Sequence, residues 1–271
     1  MNKPELYRLS NSMQRKDAAE FLEEYAPKMS WKKNNNRILD VGCGDGSVTN
    51  MLMKYLPNDF NLLGSDINEN MVKFANEQNR NTQTSFIVSD IVDEIPEEMK
   101  RSFDHVFSFY ALHWVENHKQ VFKNIFDLLE ENGQFFAIFL GSNPYQQIFR
   151  TMSQDRVFSP FAGDVEKHIS PYWDSKEPEK EITKLMESSG FIDVDVKYED
   201  KIFQSDDMHL FKKHFIAVLP FKLPDEILEY AFENFIRMLK EIEIAHGVNN
   251  PPNIVNIYYK LFKVYGHKPL V

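Results

Sequence analysis

The chain has 271 residues, 42% hydrophobic and 14% aromatic with 23 Phe, which allows a large core and excludes global disorder. Its 31 Lys and Arg stand against 41 Asp and Glu, a net charge of -10 that repels phosphate backbones and argues against a nucleic-acid partner. A single cysteine, Cys43, leaves no internal disulfide and no cysteine-built zinc site, and fits the cytoplasm.

Charges at Lys3, Glu5, Arg8, Arg15, Lys16 and Asp17 leave no apolar stretch for a signal peptide. The longest nearly apolar run, residues 106–115, contains His113 and falls short of the ~20 residues a membrane span needs. Residues 37–41 (RILDV) read as a first strand, the glycine-rich 42–46 as a loop, and residues 48–55 as a helix with Val48, Met51, Leu52 and Tyr55 at helical spacing. A second strand runs over 61–65 and ends at Asp66, and Asn68 caps a helix through Met71, Val72 and Ala75. Residues 84–88 and 103–109 read as third and fourth strands, 120–129 as an amphipathic helix and 133–140 as a fifth strand. The acidic run at 93–98 reads as a solvated helix start. Such strand–helix alternation signals an α/β fold with a parallel sheet. The proline-bearing stretch after residue 141 reads as an insertion of turns and short helices. Beyond it come a helix at 179–189 stopped by Gly190, a strand at 191–203, helices at 206–219 and 225–245, and a last strand at 255–265.

The strongest chemical signal is residues 39–46, LDVGCGDG, a strand emptying into a G-x-G-x-G loop with Asp40 two residues before the first glycine. Gly42, Gly44 and Gly46 lack the Cβ atoms that would keep a ligand from the backbone. A dinucleotide fingerprint would need its third glycine at position 47, which is Ser47, so the spacing disfavours NAD. Asp66, at the tip of the second strand, is placed to accept hydrogen bonds from two ribose hydroxyls, and Asp90 sits just past the third strand.

This constellation resembles motif I of the class I S-adenosylmethionine-dependent methyltransferases, and longer segments narrow the resemblance. Residues 103–115 (FDHVFSFYALHWV), 6–14 (LYRLSNSMQ) and 169–172 (ISPY) are similar to the insect juvenile hormone acid O-methyltransferases. The resemblance implies a Rossmann-like single domain over 1–271. Its seven-stranded, mostly parallel sheet ends in an antiparallel hairpin. Residues 1–36 would form an N-terminal helical lid, 37–141 the cofactor-binding core, and 142–181 with 206–246 the substrate-cap insertions. The implied reaction methylates the carboxylate of farnesoic acid or juvenile hormone acid, with S-adenosylmethionine becoming S-adenosylhomocysteine and no metal taking part. The cofactor would be held by Asp40, Gly42, Gly44, Asp66, Ile67, Asp90 and Ile91, with Ser108 and His113 beside them. Gln14 and Trp114 are implied as the carboxylate-holding catalytic pair, and Tyr110 and Tyr172 as further substrate contacts. A homodimer is compatible with this reading.

A carboxylic acid of pKa ~4 to 5 is already ionised at neutral pH, so such a reaction calls for positioning and for no general base. Neutral donors such as a Gln amide and a Trp indole can hold one carboxylate oxygen without dulling the other. A Phe-, Tyr- and Met-rich cap would favour long acids, although ordinary core packing is the better expectation for any single Phe. Residues 250–253 (NPPN) imitate the N-P-P-Y motif but stand far from the fourth strand, so a turn is expected there. His105 is expected to be structural or exposed, and Cys43 a small residue between glycines. Two readings stay open beside the main one: another small or fatty acid as substrate, and a non-catalytic hormone- or cofactor-binding paralogue.

Overall fold

A strand flanked by parallel partners is buried on both faces and carries apolar side chains almost without interruption. Strand β1 (Asn36–Val41) is buried along its length apart from half-buried Arg37, with Ile38, Leu39 and Val41 as its apolar side chains, and it lies between β2 (Phe60–Asp66) and β4 (Phe103–Phe109). The computed structural model describes residues 3–270. With β3 (Thr84–Val88), β5 (Leu129–Ser142), β6 (Ile192–Ser205) and β7 (Val255–His267), these strands form one seven-stranded sheet in the order β3-β2-β1-β4-β5-β7-β6. Pairings among the first five are parallel, and β7 runs antiparallel to both β5 and β6, as expected for the terminal hairpin.

Alternate residues of each strand feed opposite faces. Ile38, Phe107 and Phe136 pack on one side with Phe21, Tyr25, Phe149 and Phe235, while Leu39, Val106 and Phe135 pack on the other with Phe122, Ile125 and Met186. Helices α1 (Pro4–Ser10), α2 (Ser12–Tyr25), α6 (Pro144–Gln154), α8 (Met208–Val218) and α9 (Asp225–Ala245) belong to the first side or to the strand ends above it. Helices α5 (His118–Leu128) and α7 (Pro178–Ser189) cover the second, and α3 (Ser47–Leu52) and α4 (Glu69–Gln78) follow β1 and β2. Asn68 caps α4 by accepting from the Asn70 and Met71 amides.

The helix expected at 48–55 is six residues of α-helix followed by one 3-10 turn at Met53–Tyr55. Strand β5 begins at Leu129, earlier than expected, because Leu129 pairs with Phe103 before a bulge restores the register at His105 and Gln134. The acidic run yields only a 3-10 turn at Glu97–Met99, since the chain must enter β4 a few residues later. Residues 250–253 form the turn between α9 and β7. The aromatics of the insertions largely make core: Tyr145 and Phe215 each lie 4.8 Å from Phe235 between ring centroids, and Phe235 is fully buried.

Strand order reverses between β1 and β4, and in open α/β sheets ligands sit outside the carboxyl ends of the strands at such a point.

Candidate active site

The chain leaves β1 through Gly42, whose amide donates to the Ser65 carbonyl at 2.7 Å. Gly42 has φ +75°, and a Cβ there would lie 2.1 Å from Ala111 Cβ, so both conformation and space require glycine. Asp66 braces the loop from β2: Oδ2 accepts from the Gly44 amide at 2.9 Å and Oδ1 from the Asn68 amide at 2.8 Å. Burial raises its pKa, against the lowering effect of those amides. Asp90 accepts from the Val92 amide at 3.0 Å. Asp40 is 1% exposed, accepts from Thr49 Oγ1 at 2.6 Å, and keeps Oδ1 without a partner among the described residues. Burial pushes its pKa up to about 7, the Thr49 hydrogen bond opposing and the Asp66 charge adding to the rise.

These three carboxylates line one cavity of about 870 Å³. Of the residues expected at the site, Gly42, Gly44, Ile67, Ile91, Gln14, Tyr110 and Trp114 line it too. The cofactor set therefore converges at the switch point, with Gln14 from α2 and Trp114 from a 3-10 turn at Leu112–Trp114 on the same cavity. Gln14 is 6% exposed and its Oε1 has no partner among the described residues. Tyr110 adopts φ +57° at the end of β4, and its hydroxyl donates to buried Asp17, which also accepts from the Tyr259 hydroxyl at 2.7 Å and pairs with Lys201 at 3.2 Å. Only the Tyr110 ring is left for the cavity.

Three expected residues lie elsewhere. Ser108 is fully buried and donates to the Val41 carbonyl at 2.9 Å, lacing β4 to β1. His113 does not line the main cavity; it walls a much smaller one beside Gln14 and Trp114. Tyr172, expected to touch substrate, lines neither. It sits on the opposite face of the sheet against Phe139 and Phe262, and its hydroxyl donates to His118 Nδ1 at 2.7 Å. His118 Nε2 in turn donates to the Leu112 carbonyl at 2.9 Å, which anchors the turn that carries Trp114. Burial lowers the His118 pKa to about 4, so the ring is neutral and one nitrogen accepts while the other donates. Tyr172→Phe keeps the ring and strands a buried acceptor at a cost of about 1–3 kcal/mol, which should lower Tm by roughly 2–10 °C in a thermal melt.

Among the cavity's contributors not named residue by residue from sequence, two stand out, the second inside the expected 206–246 cap. Tyr7 of α1 lines it, within the 6–14 segment quoted above for its resemblance alone. Residues 216–223 (IAVLPFKL), from the end of α8 into the following loop, form an apolar wall. An apolar run broken by Pro220 between two helices was the available signal. His105 is buried, not exposed, hydrogen-bonding Gln134 Oε1 at 3.0 Å beneath the Trp31 ring. Cys43 is buried and its thiol pKa is pushed well up by burial, the opposite of what a nucleophile needs.

The methyltransferase-domain family matches residues 39–137. A juvenile hormone acid O-methyltransferase of Bombyx mori is 40% identical over 99% of this chain and 98% of its own length. One from Drosophila melanogaster is 35% identical over 99% of this chain and 93% of its own. Among solved structures, Haemonchus contortus phosphoethanolamine N-methyltransferase 2, in complex with phosphomonomethylethanolamine and S-adenosylhomocysteine, superposes with TM-score 0.58 at 16% identity over 94% of this chain and 53% of that one. The fold is therefore that of the methyltransferases, and near-full-length identity to two curated enzymes is decisive: the chain belongs to the juvenile hormone acid O-methyltransferase family.

Proposed function

We propose that this enzyme methylates the carboxylate of a sesquiterpenoid acid, farnesoic acid or juvenile hormone acid, with S-adenosylmethionine as donor. The observation that carries the reading is that Gln14 and Trp114 line the same cavity as Asp40, Asp66 and Asp90, with the apolar run 216–223 forming another wall. When bound, S-adenosylmethionine supplies a methyl group on a positively charged sulfur. Asp66 and Asp90 would hold its ribose and adenine, the bare Gly42–Gly44 backbone would admit its amino-acid part, and Ile67 and Ile91 would flank the nucleoside. Burial in an acidic cavity suits a cationic group, since Asp40, Asp45, Asp66 and Asp90 all line it.

On the acceptor side, the Gln14 amide and Trp114 indole N–H would hold one carboxylate oxygen and leave the other in line for attack, with the Tyr110 ring beside them. Proximity and orientation of this kind are worth up to ~7–11 kcal/mol. A terpenoid tail against residues 216–223 gains ~0.8 kcal/mol per buried methylene before association costs. Of the cations in the first insertion, the Arg150 guanidinium is held by both oxygens of Glu166, at 2.9 and 2.6 Å, whereas Lys167 lines the cavity, so a polycarboxylic acid belongs in the substrate panel. Helices α1 and α2 would act as the lid and residues 142–181 and 206–246 as the cap, over a 37–141 cofactor core. The supposed setting is the cytoplasm; among the described residues no helix is long and apolar enough to cross a membrane.

The test is a methyl-transfer assay with labelled S-adenosylmethionine against farnesoic acid, juvenile hormone acids, palmitic acid and aconitic acid. Ester on the terpenoids alone is expected. Ester mainly on another acid would replace the substrate, and no ester with S-adenosylhomocysteine still binding would favour a non-catalytic paralogue.

Asp40 adds a pH signature. A cationic ligand favours its ionised form, so the pKa of about 7 falls on binding and a proton is released below that pH. Affinity for S-adenosylmethionine should therefore strengthen as pH rises from about 6 to about 8, with a slope approaching tenfold per unit below the free pKa. Asp40→Asn should flatten the calorimetric profile.

A further inference from the structure

Beside the main cavity lies a second one of about 40 Å³, and Tyr7, Gln14, Tyr110, Trp114, His168 and Val218 line both. Four side chains walling the small cavity are more than nine-tenths buried and carry a polar atom with no partner among the described residues: Gln14 Oε1, His113 Nδ1, His214 Nδ1 and the Tyr145 hydroxyl. Buried polar atoms left unpaired are costly, and four around one small space call for a ligand. Asn143 and Gln146, which also wall it, are already committed to the capping box of α6.

The donor and acceptor inventory selects that ligand. The Ser10 backbone opposes the fall in the His214 pKa, and with Nδ1 the unpartnered nitrogen the ring N–H is assigned to Nε2, toward that carbonyl. The neutral ring has one N–H, so Nδ1 is a bare acceptor. Burial keeps the ring neutral, its pKa lowered to about 4. Gln14 Oε1 is also an acceptor only, so the occupant must donate twice. A carboxylate oxygen donates nothing and a hydroxyl once, whereas water donates twice and can still accept from the Tyr145 O–H. The cavity is polar and exceeds the ~10–15 Å³ a water requires.

We propose that this cavity is a buried water site, and that water bridging Gln14 Oε1 and His214 Nδ1 fixes the Gln14 carboxamide with its NH2 group turned to the main cavity. The consequence rests on the proposed function: the bridge stops the amide from flipping and offering an oxygen to a carboxylate. His214 and Tyr145 are thereby positioning residues for the acid.

A high-resolution crystal structure of the protein with S-adenosylhomocysteine should show a water at ~2.7–3.2 Å from both Gln14 Oε1 and His214 Nδ1. A dry cavity, or a Gln14 amide refined in the flipped orientation, overturns the inference whether or not any acid is methylated. In kinetics, His214→Phe should raise KM for farnesoic acid about tenfold with little change in kcat and none in S-adenosylmethionine affinity. His214→Asn, which retains an acceptor near Nδ1, should recover most of that loss, and Tyr145→Phe should raise KM by a smaller factor. An unchanged acid KM in His214→Phe, or equal losses in His214→Phe and His214→Asn, overturns the positioning role. Failure of the wild type to methylate any acid would strike the proposed function and leave the crystallographic result to decide the water site.

Discussion

Gly42→Ala is expected to abolish turnover by damaging both halves of the site at once. The residue sits at φ +75°, where an L side chain costs about 1–2 kcal/mol. The added Cβ would also lie 2.1 Å from Ala111 Cβ, well inside the ~3.5–4.0 Å of carbon–carbon contact. Relief requires the glycine loop to leave the Ser65 carbonyl or Ala111 to retreat, and Ala111 leads directly into the Leu112–Trp114 turn. One methyl group therefore displaces either the cofactor loop or the turn bearing Trp114. Misplacement by about 1 Å commonly costs 10²-fold in rate, so loss of S-adenosylmethionine affinity or of kcat/KM by at least that factor is expected. Overpacking adds ~1–3 kcal/mol to the strain, which predicts a Tm lower by roughly 5–15 °C. Gly44→Ala is the informative control: its φ of +53° carries the same strain, but the nearest atom to a Cβ is Tyr7 Cε1 at 3.9 Å. It should melt early by the strain alone and weaken S-adenosylmethionine binding without disturbing the Leu112–Trp114 turn. Calorimetric titration and melting of the two variants check this, and a Gly42→Ala protein with wild-type affinity would refute the coupling.

The proposed cofactor half of the site is legible because it is encoded locally. Strand, glycine loop and helix follow one another within residues 36–52, and Asp66 and Asp90 fall at or just past the ends of strands whose apolar runs announce them. The acceptor half was legible only in part. Gln14 and Trp114 came through resemblance, and both line the cavity. Tyr172 lies in an equally specific segment, but the face of the sheet it reaches is decided by packing on Phe139 and Phe262, which lie in distant strands. Tyr110 lines the cavity, while the partner of its hydroxyl has no local signal, since Asp17 is 93 residues away in α2. His105 looked unattached in sequence because its partners, Trp31 and Gln134, come from a preceding loop and a neighbouring strand. Residues 216–223 carry no motif and gain their role only when α8 is laid over the strand ends. Local periodicity and loop chemistry are written residue by residue, whereas contacts between segments depend on the register of the whole sheet.

Trp114→Phe should separate holding the acid from holding the cofactor. The substitution keeps an aromatic ring beside His113 and His168, whose ring centroids lie 4.8 and 5.9 Å from Trp114, and deletes the only hydrogen-bond donor of the side chain. A hydrogen bond to a charged group is worth about 1.5–3 kcal/mol, so kcat/KM for the acid should fall by roughly 10–150-fold. Affinity for S-adenosylmethionine should be nearly unchanged, because the acidic residues proposed to grip it are untouched. Gln14→Met removes the other donor at similar volume and should cost a comparable factor. The double variant should lose less than the product of the two, since both donors serve one carboxylate and its remaining oxygen stays nucleophilic. Because an ionised acid needs no base, kcat at saturating cofactor should be flat above about pH 6 in wild type and variants alike. Buried histidines near the site agree with this: His113 is held neutral by burial, its pKa lowered to about 3. A sloping kcat profile that Trp114→Phe or Gln14→Met abolished would mean that a proton moves after all. Unchanged kcat/KM in Trp114→Phe would remove the indole from the carboxylate and leave Gln14 as the sole donor of this proposal.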